Sequence, residues 1–399
     1  MQVLVLNSGS SSIKFQLFSM PEASILCSGL IERIGFEDAL FNFKTNGKTI
    51  TLETPILNHK DGLKLLAEHL LNKDIGIIKT SDDISIVGHR VVHGGKHFSE
   101  TTEITETVKE KIRRLSSLAP LHNPANLQGI EVAEDIFPNA KQIAVFDTAF
   151  HQSIPEYAYK YAIPSKFSDE YNIRVYGFHG TSHKYVSEKA IDYLGKKESK
   201  IVTIHLGNGC SMTAVKNGKS IDHSLGFSPN TGLIMGTRSG DIDSSIIFYL
   251  AKKLNFSLDE INTLLQKESG MLGLTGFSDL RDIEEEAAKG NKSCELALQM
   301  NAYRIKKYIG SYAAILNGLD AIVFTAGIGE NSQLMRRLVC EDLDFLGIAI
   351  DTQKNEIKSQ EIRSIGQKDA NVEILVIPTN EELEIAKQAM GLYQDKPIC

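Results

Sequence analysis

Residues 2–18 read QVLVLNSGSSSIKFQLF. Val3 and Val5, then Ile13, Phe15 and Leu17, alternate with their neighbours, which predicts two half-buried strands. Between them lies NSGSSS, six small polar residues, where a hairpin needs only two to five residues and no hydroxyls. Small residues let backbone N–H groups come close to a ligand, and hydroxyls add further donors. Lys14 follows one residue into the second strand. Taken alone, the segment fits either an ordinary polar turn with a surface lysine or a phosphate cradle on a rigid hairpin.

A chain of 399 residues suggests two domains. Its 42% hydrophobic and 23% charged content is that of a globular enzyme. With a net charge of −7 and no basic tract, nucleic acid and anionic membrane surfaces are not expected partners. No apolar run approaches the ~20 residues of a membrane helix. The first strand begins at residue 2, which leaves no room for a signal peptide. Cys27, Cys210, Cys294, Cys340 and Cys399 are odd in number and widely spaced, which argues against a disulfide framework or a zinc site and fits a reducing cytoplasm. Cys399 reads as an exposed tail thiol without a catalytic role.

A weak duplication organises the chain. KIVTIHLGNGCSMTAVK (200–216) repeats the pattern of strand, small-residue turn and strand. QIAVFDTAFH (142–151) and DAIVFTAGIGENS (320–332) form a second matched pair, each an apolar strand breaking into a polar loop after Val-Phe. Helical patterns cover 60–72, 105–117, 124–135, 181–195, 242–254, 282–290 and 294–317. Pro124 suits a first helical turn. Interleaved strands and helices predict an α/β protein of two similar lobes with a cleft between them, divided near Phe150.

Two apparent phosphate loops fail. GKT (47–49) and GKS (218–220) have Asn42 and Thr213 where a P-loop needs glycine, and no GxGxxG opens a helix. GHRVVHGGKHF (88–98) spaces His89, His93 and His97 by four, but its valines and glycines oppose a helical metal face. Arg90 is the better candidate, because a guanidinium fork fits carboxylate or phosphate. His122 lies in the Pro-bounded LAPLHNP (118–124), and Asp147 directly follows a strand, where α/β sites commonly form. YGFHGTSH (176–183) holds His179 between glycines, with His183 reading as surface helix. Arg238 sits among small residues in SPNTGLIMGTRSGDID (228–243). Glu381 and Glu382 open the last helix, where acidic residues also complement the dipole.

In order, NSGSSSIKF, GHRVVHGG, LAPLHNP, FDTAFH, YGFHGTSH, HLGNGCS, MGTRSGDID, GIGEN and TNEE closely resemble the acetate kinase family along essentially the whole chain. The resemblance implies two duplicated actin-like (ribonuclease H-like) lobes, each a mixed five-stranded sheet flanked by helices. The N-terminal lobe would comprise 1–149 plus 380–399, and the C-terminal lobe 150–379, with homodimerisation through the second. The implied reaction is reversible transfer of the ATP γ-phosphoryl group to acetate, giving acetyl phosphate and ADP, with Mg²⁺ as cofactor and Mn²⁺ able to substitute. A propionate or butyrate kinase is the alternative within the family.

By the same resemblance, Asn7 and Glu381 would hold the metal, with Ser10, Ser12 and Lys14 near the phosphates. Arg90 would bind the substrate carboxylate or the transferring group, His179 and Arg238 would stabilise the transition state, and His122 would support the phosphoryl site. Asp147 would act as acid or base, or as an orienting group. Val92, Leu121, Phe178 and Pro229 would form the acyl pocket. His205, Leu206, Gly207, Asn208 and Gly209 would line the nucleotide site, with Asp279, Leu280 and Arg281 and with Gly327, Ile328, Gly329, Glu330 and Asn331. A carboxylate, with a pKa near ~4, is already anionic at neutral pH and needs no base, so direct in-line transfer is expected, with Asp147 orienting Arg90 or a metal-bound water.

Overall fold

The computed structural model describes residues 1–394; Cys399 lies outside them. Residues group into two compact units, Met1–Phe150 with the chain from Asn380 onward, and His151–Thr379.

Unit 1 is built on an eight-stranded sheet. Its strands are β1 (Gln2–Ser8), β2 (Ser12–Ser19), β3 (Ser24–Glu32), β4 (Phe36–Thr45), β5 (Lys48–Ile56), β6 (Ile84–Val91), β7 (Thr102–Glu103) and β8 (Lys141–Phe146), in the order β5-β4-β3-β2-β1-β6-β8-β7. Unit 2 carries six: β9 (Lys200–Leu206), β10 (Cys210–Lys216), β11 (Lys219–His223), β12 (Ala321–Thr325), β13 (Arg363–Ser364) and β14 (Glu373–Val376), ordered β11-β10-β9-β12-β14-β13. A shared five-strand core is visible in both. β3-β2-β1-β6-β8 and β11-β10-β9-β12-β14 have the same succession, two antiparallel pairings followed by two parallel ones. Unit 1 adds β4, β5 and β7 to that core, and unit 2 adds β13.

The hairpins β1–β2 and β9–β10 occupy equivalent places, as the duplication predicts. The second matched pair does not. β8 is the last strand of its five, whereas β12 lies beside the central strand β9, and its counterpart is β6. A strand ending after Val-Phe in a polar loop is a general α/β feature, so similarity of the ends did not report position. The failed P-loops are two-residue hairpin turns. Asn46-Gly47 and Asn217-Gly218 all have positive φ, the conformation that lets Asn-Gly follow the twist of its strands.

The first strand is buried more deeply than its alternation suggested: Val3, Leu4, Val5 and Leu6 are all inaccessible. Leu4 and Leu6 face a core with Leu63 and Leu66 of the helix His59–Leu70. Val3 and Val5 face Ile86, Ile143 and Ile385, Ala386 and Ala389 of the helix Glu381–Gln394. A strand covered on both faces reads as a continuous apolar run. The helical patterns at 60–72 and 294–317 correspond to His59–Leu70 and Lys292–Leu316, the latter capped by Asn291 Oδ1 accepting from Ser293 N. The expected loop after β12 is instead a short helix, Ala326–Asn331. Among the described residues no helix is long and apolar enough to cross a membrane.

Ile385 is 1% exposed and anchors the last helix to β1 and β6. Ile385→Ala is expected to cost about 2–5 kcal/mol by cavity formation. Denaturant unfolding checks this, and a loss below about 1 kcal/mol would show that the helix is held elsewhere.

Candidate active site

In unit 1 the functional side chains sit at the ends of three adjacent parallel strands. Pairing Leu6 with His89 and Val91 with Phe146 brings Asn7, Arg90 and Asp147 into one row. Arg90 Nε donates to Asp147 Oδ1 and Oδ2, both at 3.1 Å, and Nη2 donates to Oδ2 at 2.5 Å. Nη1 donates to Asn7 Oδ1 at 3.2 Å. Asp147 is 1% exposed and Arg90 20%. Burial pulls the guanidinium pKa down, but Asp147, Glu381 and the hydrogen bond to Asp147 more than reverse it, so the net shift is upward. Arg90 is thus a fixed, cationic fork with one N–H left on each terminal nitrogen.

Glu381 opens the C-terminal helix next to this fork. Burial pushes its carboxyl up to about 7, Arg90 opposes the shift, and the negative charges of Asp147 and Glu382 add to it. Glu382, which is buried where Glu381 is half-buried, takes Lys14 instead, at 2.7 Å. Lys14 therefore lies opposite Asn7 in the β1–β2 register and reaches the helix start. Ser10 is exposed and Ser12 half-buried in the turn, which is closed by Gly9 N donating to Ser12 O at 2.8 Å.

Residues that sequence reasoning passed over brace this row. His59 Nε2 lies 2.7 Å from Gly9 O. Asn126 donates to Ser8 O at 2.7 Å and accepts from Val92 N at 3.0 Å. Asn123 clasps both backbone groups of His93. The apolar periodicity of the helix Asn123–Ile136 conceals these asparagines, since their partners lie about 30 to 120 residues away. His122 is the residue before that helix and is half-buried. Val92 is 7% exposed and Leu121 54%. His89, buried in β6 against Gln142 at 2.7 Å, has its pKa pushed down to about 4 by burial, and the His89, His93, His97 spacing forms no helical face.

In unit 2, His179 holds a left-handed conformation, φ 56°, directly before the helix Gly180–Leu194. Such a backbone in a non-glycine residue costs of order 1–3 kcal/mol and persists where surroundings enforce it. The imidazole stacks on His205 at 4.4 Å. A Cβ on Gly209 would lie 3.3 Å from Arg238 Nη2 and 3.5 Å from the His179 ring, so a side chain there would press on Arg238. Arg238 Nη1 donates to Pro229 O at 2.5 Å, and burial lowers its pKa, though it stays cationic. Phe178 is 3% exposed. His183, which reads as surface helix, is fully buried: the sheet covers that face of the helix.

A cavity in unit 2, of about 610 Å³, is lined by Gly207, Asn208, Asp279, Leu280, Arg281, Gly327, Ile328 and Asn331, together with Ser278, Glu284 and Ser332. That volume suits a small organic molecule. Asp279 caps its helix by accepting from Arg281 N at 2.9 Å, and the Arg281 side chain holds its pKa down to about 2. Leu206, Gly329 and Glu330, expected in the same site, are not among the residues that line it. Leu206 is buried, Gly329 packs against Phe324, and the Glu330 carboxylate accepts from Thr379 N at 3.1 Å. Arg336, 1% exposed, donates to the carbonyls of Gly329 and Glu330 at 2.9 Å and to Asn355 Oδ1 at 2.7 Å. It ties down the 326–331 turn without touching the cavity.

The chain is similar to known proteins along essentially its whole length. The family model described as "Acetokinase family" matches residues 2–387. An acetate kinase of Flavobacterium johnsoniae is 63% identical over 395 residues, covering 99% of this chain and 100% of its own. The crystal structure of Porphyromonas gingivalis acetate kinase superposes with a TM-score of 0.93 at 43% identity, covering 98% and 99% of the two chains. A propionate kinase from Francisella tularensis gives a TM-score of 0.92 at 44% identity, with the same coverage.

Proposed function

The chain belongs to the acetokinase family and phosphorylates acetate from ATP; we propose that it does so by direct in-line transfer, on groups charged and oriented beforehand. The Arg90–Asp147 fork carries this reading. A carboxylate nucleophile arrives already ionised, so the catalytic problem is to hold two anions together and stabilise charge on the transferring group. Asp147 accepts three hydrogen bonds from Arg90, and its role here is to fix the guanidinium. The two remaining N–H groups of Arg90 receive carboxylate or phosphoryl oxygens. His179 and Arg238 stabilise the transferring group, with His122 supporting it. The cavity beside Asp279 and Ile328 takes the adenosine end of the nucleotide. Ser10, Ser12 and Lys14 serve the phosphates, and Val92, Leu121, Phe178 and Pro229 the acyl methyl. The Francisella likeness keeps propionate in view, since one methylene is worth only about 1–3 kcal/mol.

The residues present fit a divalent cation. Asn7 Oδ1 keeps a lone pair beside the one Arg90 uses, and Glu381 is a half-buried carboxyl raised by desolvation and its acidic neighbours. Among the described residues no group of three His, Cys, Asp or Glu could form a closed metal cage. Two protein oxygens, completed by water and phosphate, suit Mg²⁺ better than such a cage. When bound, the ion neutralises charge on the phosphate oxygens. We place the protein in a reducing cytoplasm, consistent with four free, buried cysteines among the described residues.

Homodimerisation is proposed through unit 2. The helix Ser245–Lys253 has no buried residue although Ile246, Phe248 and Tyr249 are 42, 63 and 60% exposed, and Leu258 and Tyr303 are more exposed still. An apolar face of this kind marks an interaction surface. Sedimentation should show a dimer that Phe248→Glu with Tyr249→Lys converts to monomer; an unchanged mass would move the interface elsewhere.

Arg90→Ala and Arg238→Ala should each lower kcat by ~100-fold or more in an assay trapping acetyl phosphate as the hydroxamate, on protein shown folded by its melting transition. Near-unaltered turnover in either variant would contradict its assigned role.

A further inference from the structure

Behind His179 a chain of buried hydrogen bonds runs into unit 2. His179 Nδ1 lies 2.9 Å from Ser211 Oγ. Ser211 Oγ lies 2.7 Å from His183 Nε2, and His183 Nδ1 lies 2.7 Å from Thr203 Oγ1. Ser211, His183 and Thr203 are each 0% exposed. The direction of the chain follows from counting protons. The hydrogen bond of the Thr203 hydroxyl is the one to His183, and a buried O–H left without an acceptor is costly. Its proton therefore points at His183 Nδ1. His183 is neutral, because burial, with His151 and His205 nearby, holds its pKa well below the usual value. A neutral imidazole accepting at Nδ1 carries its proton on Nε2, and it donates that proton to Ser211 Oγ. The Ser211 hydroxyl proton is then directed to His179 Nδ1.

We infer that Thr203, His183 and Ser211 form a one-way hydrogen-bond relay that holds neutral His179 in the tautomer with its proton on Nε2. The inference rests on the role given to His179 above. A transferring phosphoryl group needs a donor, and the opposite tautomer would meet it with a lone pair. The strained backbone of His179 fixes where the ring stands, the His205 stack fixes its plane, and the relay fixes its proton. A parallel chain shows the same logic in a neighbouring residue. Phe178 N donates to His223 Nε2 at 3.1 Å, so neutral His223 carries its proton on Nδ1, 2.8 Å from Thr213 Oγ1. His179 and His183 lie four residues apart in the sequence, which does not reveal that a serine in β10 connects them. Ser211 and His183 are positioning residues, because they act through His179.

A double-mutant cycle tests the relay. Ser211→Ala should lower kcat by ~10- to 100-fold, a loss of the size seen when a metal-bound histidine loses its outer partner, with KM for acetate and ATP within about twofold. His183→Gln should do the same. In a His179→Ala background, Ser211→Ala should change the residual kcat by less than about twofold, because the residue it serves is gone. Equal losses in both backgrounds would overturn the relay while leaving the role of His179 standing. Near-full activity of His179→Ala alone would overturn that role, and the relay with it. Loss of cooperative melting in both Ser211→Ala and His183→Gln would assign the chain to folding and also overturn the proposal.

Discussion

The ion pair between Arg90 and Asp147 is the constraint on which the rest of unit 1 converges. A nearly inaccessible carboxylate and a largely buried guanidinium are tolerated only together, since removing one partner of a buried pair costs about 3–5 kcal/mol. The pair cannot move without moving the strands that carry it. Arg90 is the penultimate residue of β6, Asp147 follows β8, and Asn7 nears the end of β1, whose two faces are sealed by separate helices. The C-terminal helix closes this arrangement and delivers Glu381 to it. Rigid charge at the mouth of a parallel sheet needs no reorganisation when a second anion arrives, which is the condition phosphoryl transfer demands.

Unit 2 uses the same five-strand core for a different purpose. Its buried groups are mainly neutral: His183 and His223 are held uncharged by burial and joined by serine and threonine hydroxyls. Where unit 1 fixes charge, unit 2 fixes protons and leaves a cavity roomy enough for a nucleoside. Arg336 illustrates the division of labour. It is buried, yet it spends its donors on the backbone of the 326–331 turn and Asn355, so it shapes the cavity from outside.

Much of this was legible in the sequence. Both hairpins, the long helices and the motif order follow from periodicity, turn composition and resemblance. Failures share a cause: the deciding partner is distant in sequence. Covering of β1 on both faces depends on a helix some 380 residues later. The mismatched pair, β8 and β12, looked alike because strand ends look alike, whereas position depends on which strand each hydrogen-bonds. His183 read as surface because a helix face acquires its environment only when it packs. Asn126 and Ser211 carried no local signal, as each joins backbone or side chains that only the fold brings near.

Whether Asp147 orients or titrates is the point on which the account stands. Asp147→Asn keeps the shape and an acceptor oxygen but removes the charge that fixes Arg90. The pH dependence of kcat for this variant is the direct test. The account predicts a large fall in rate with a profile of unchanged shape, because no proton leaves the nucleophile through Asp147. Disappearance of an ionisation limb from the profile would contradict it and make Asp147 an acid–base catalyst.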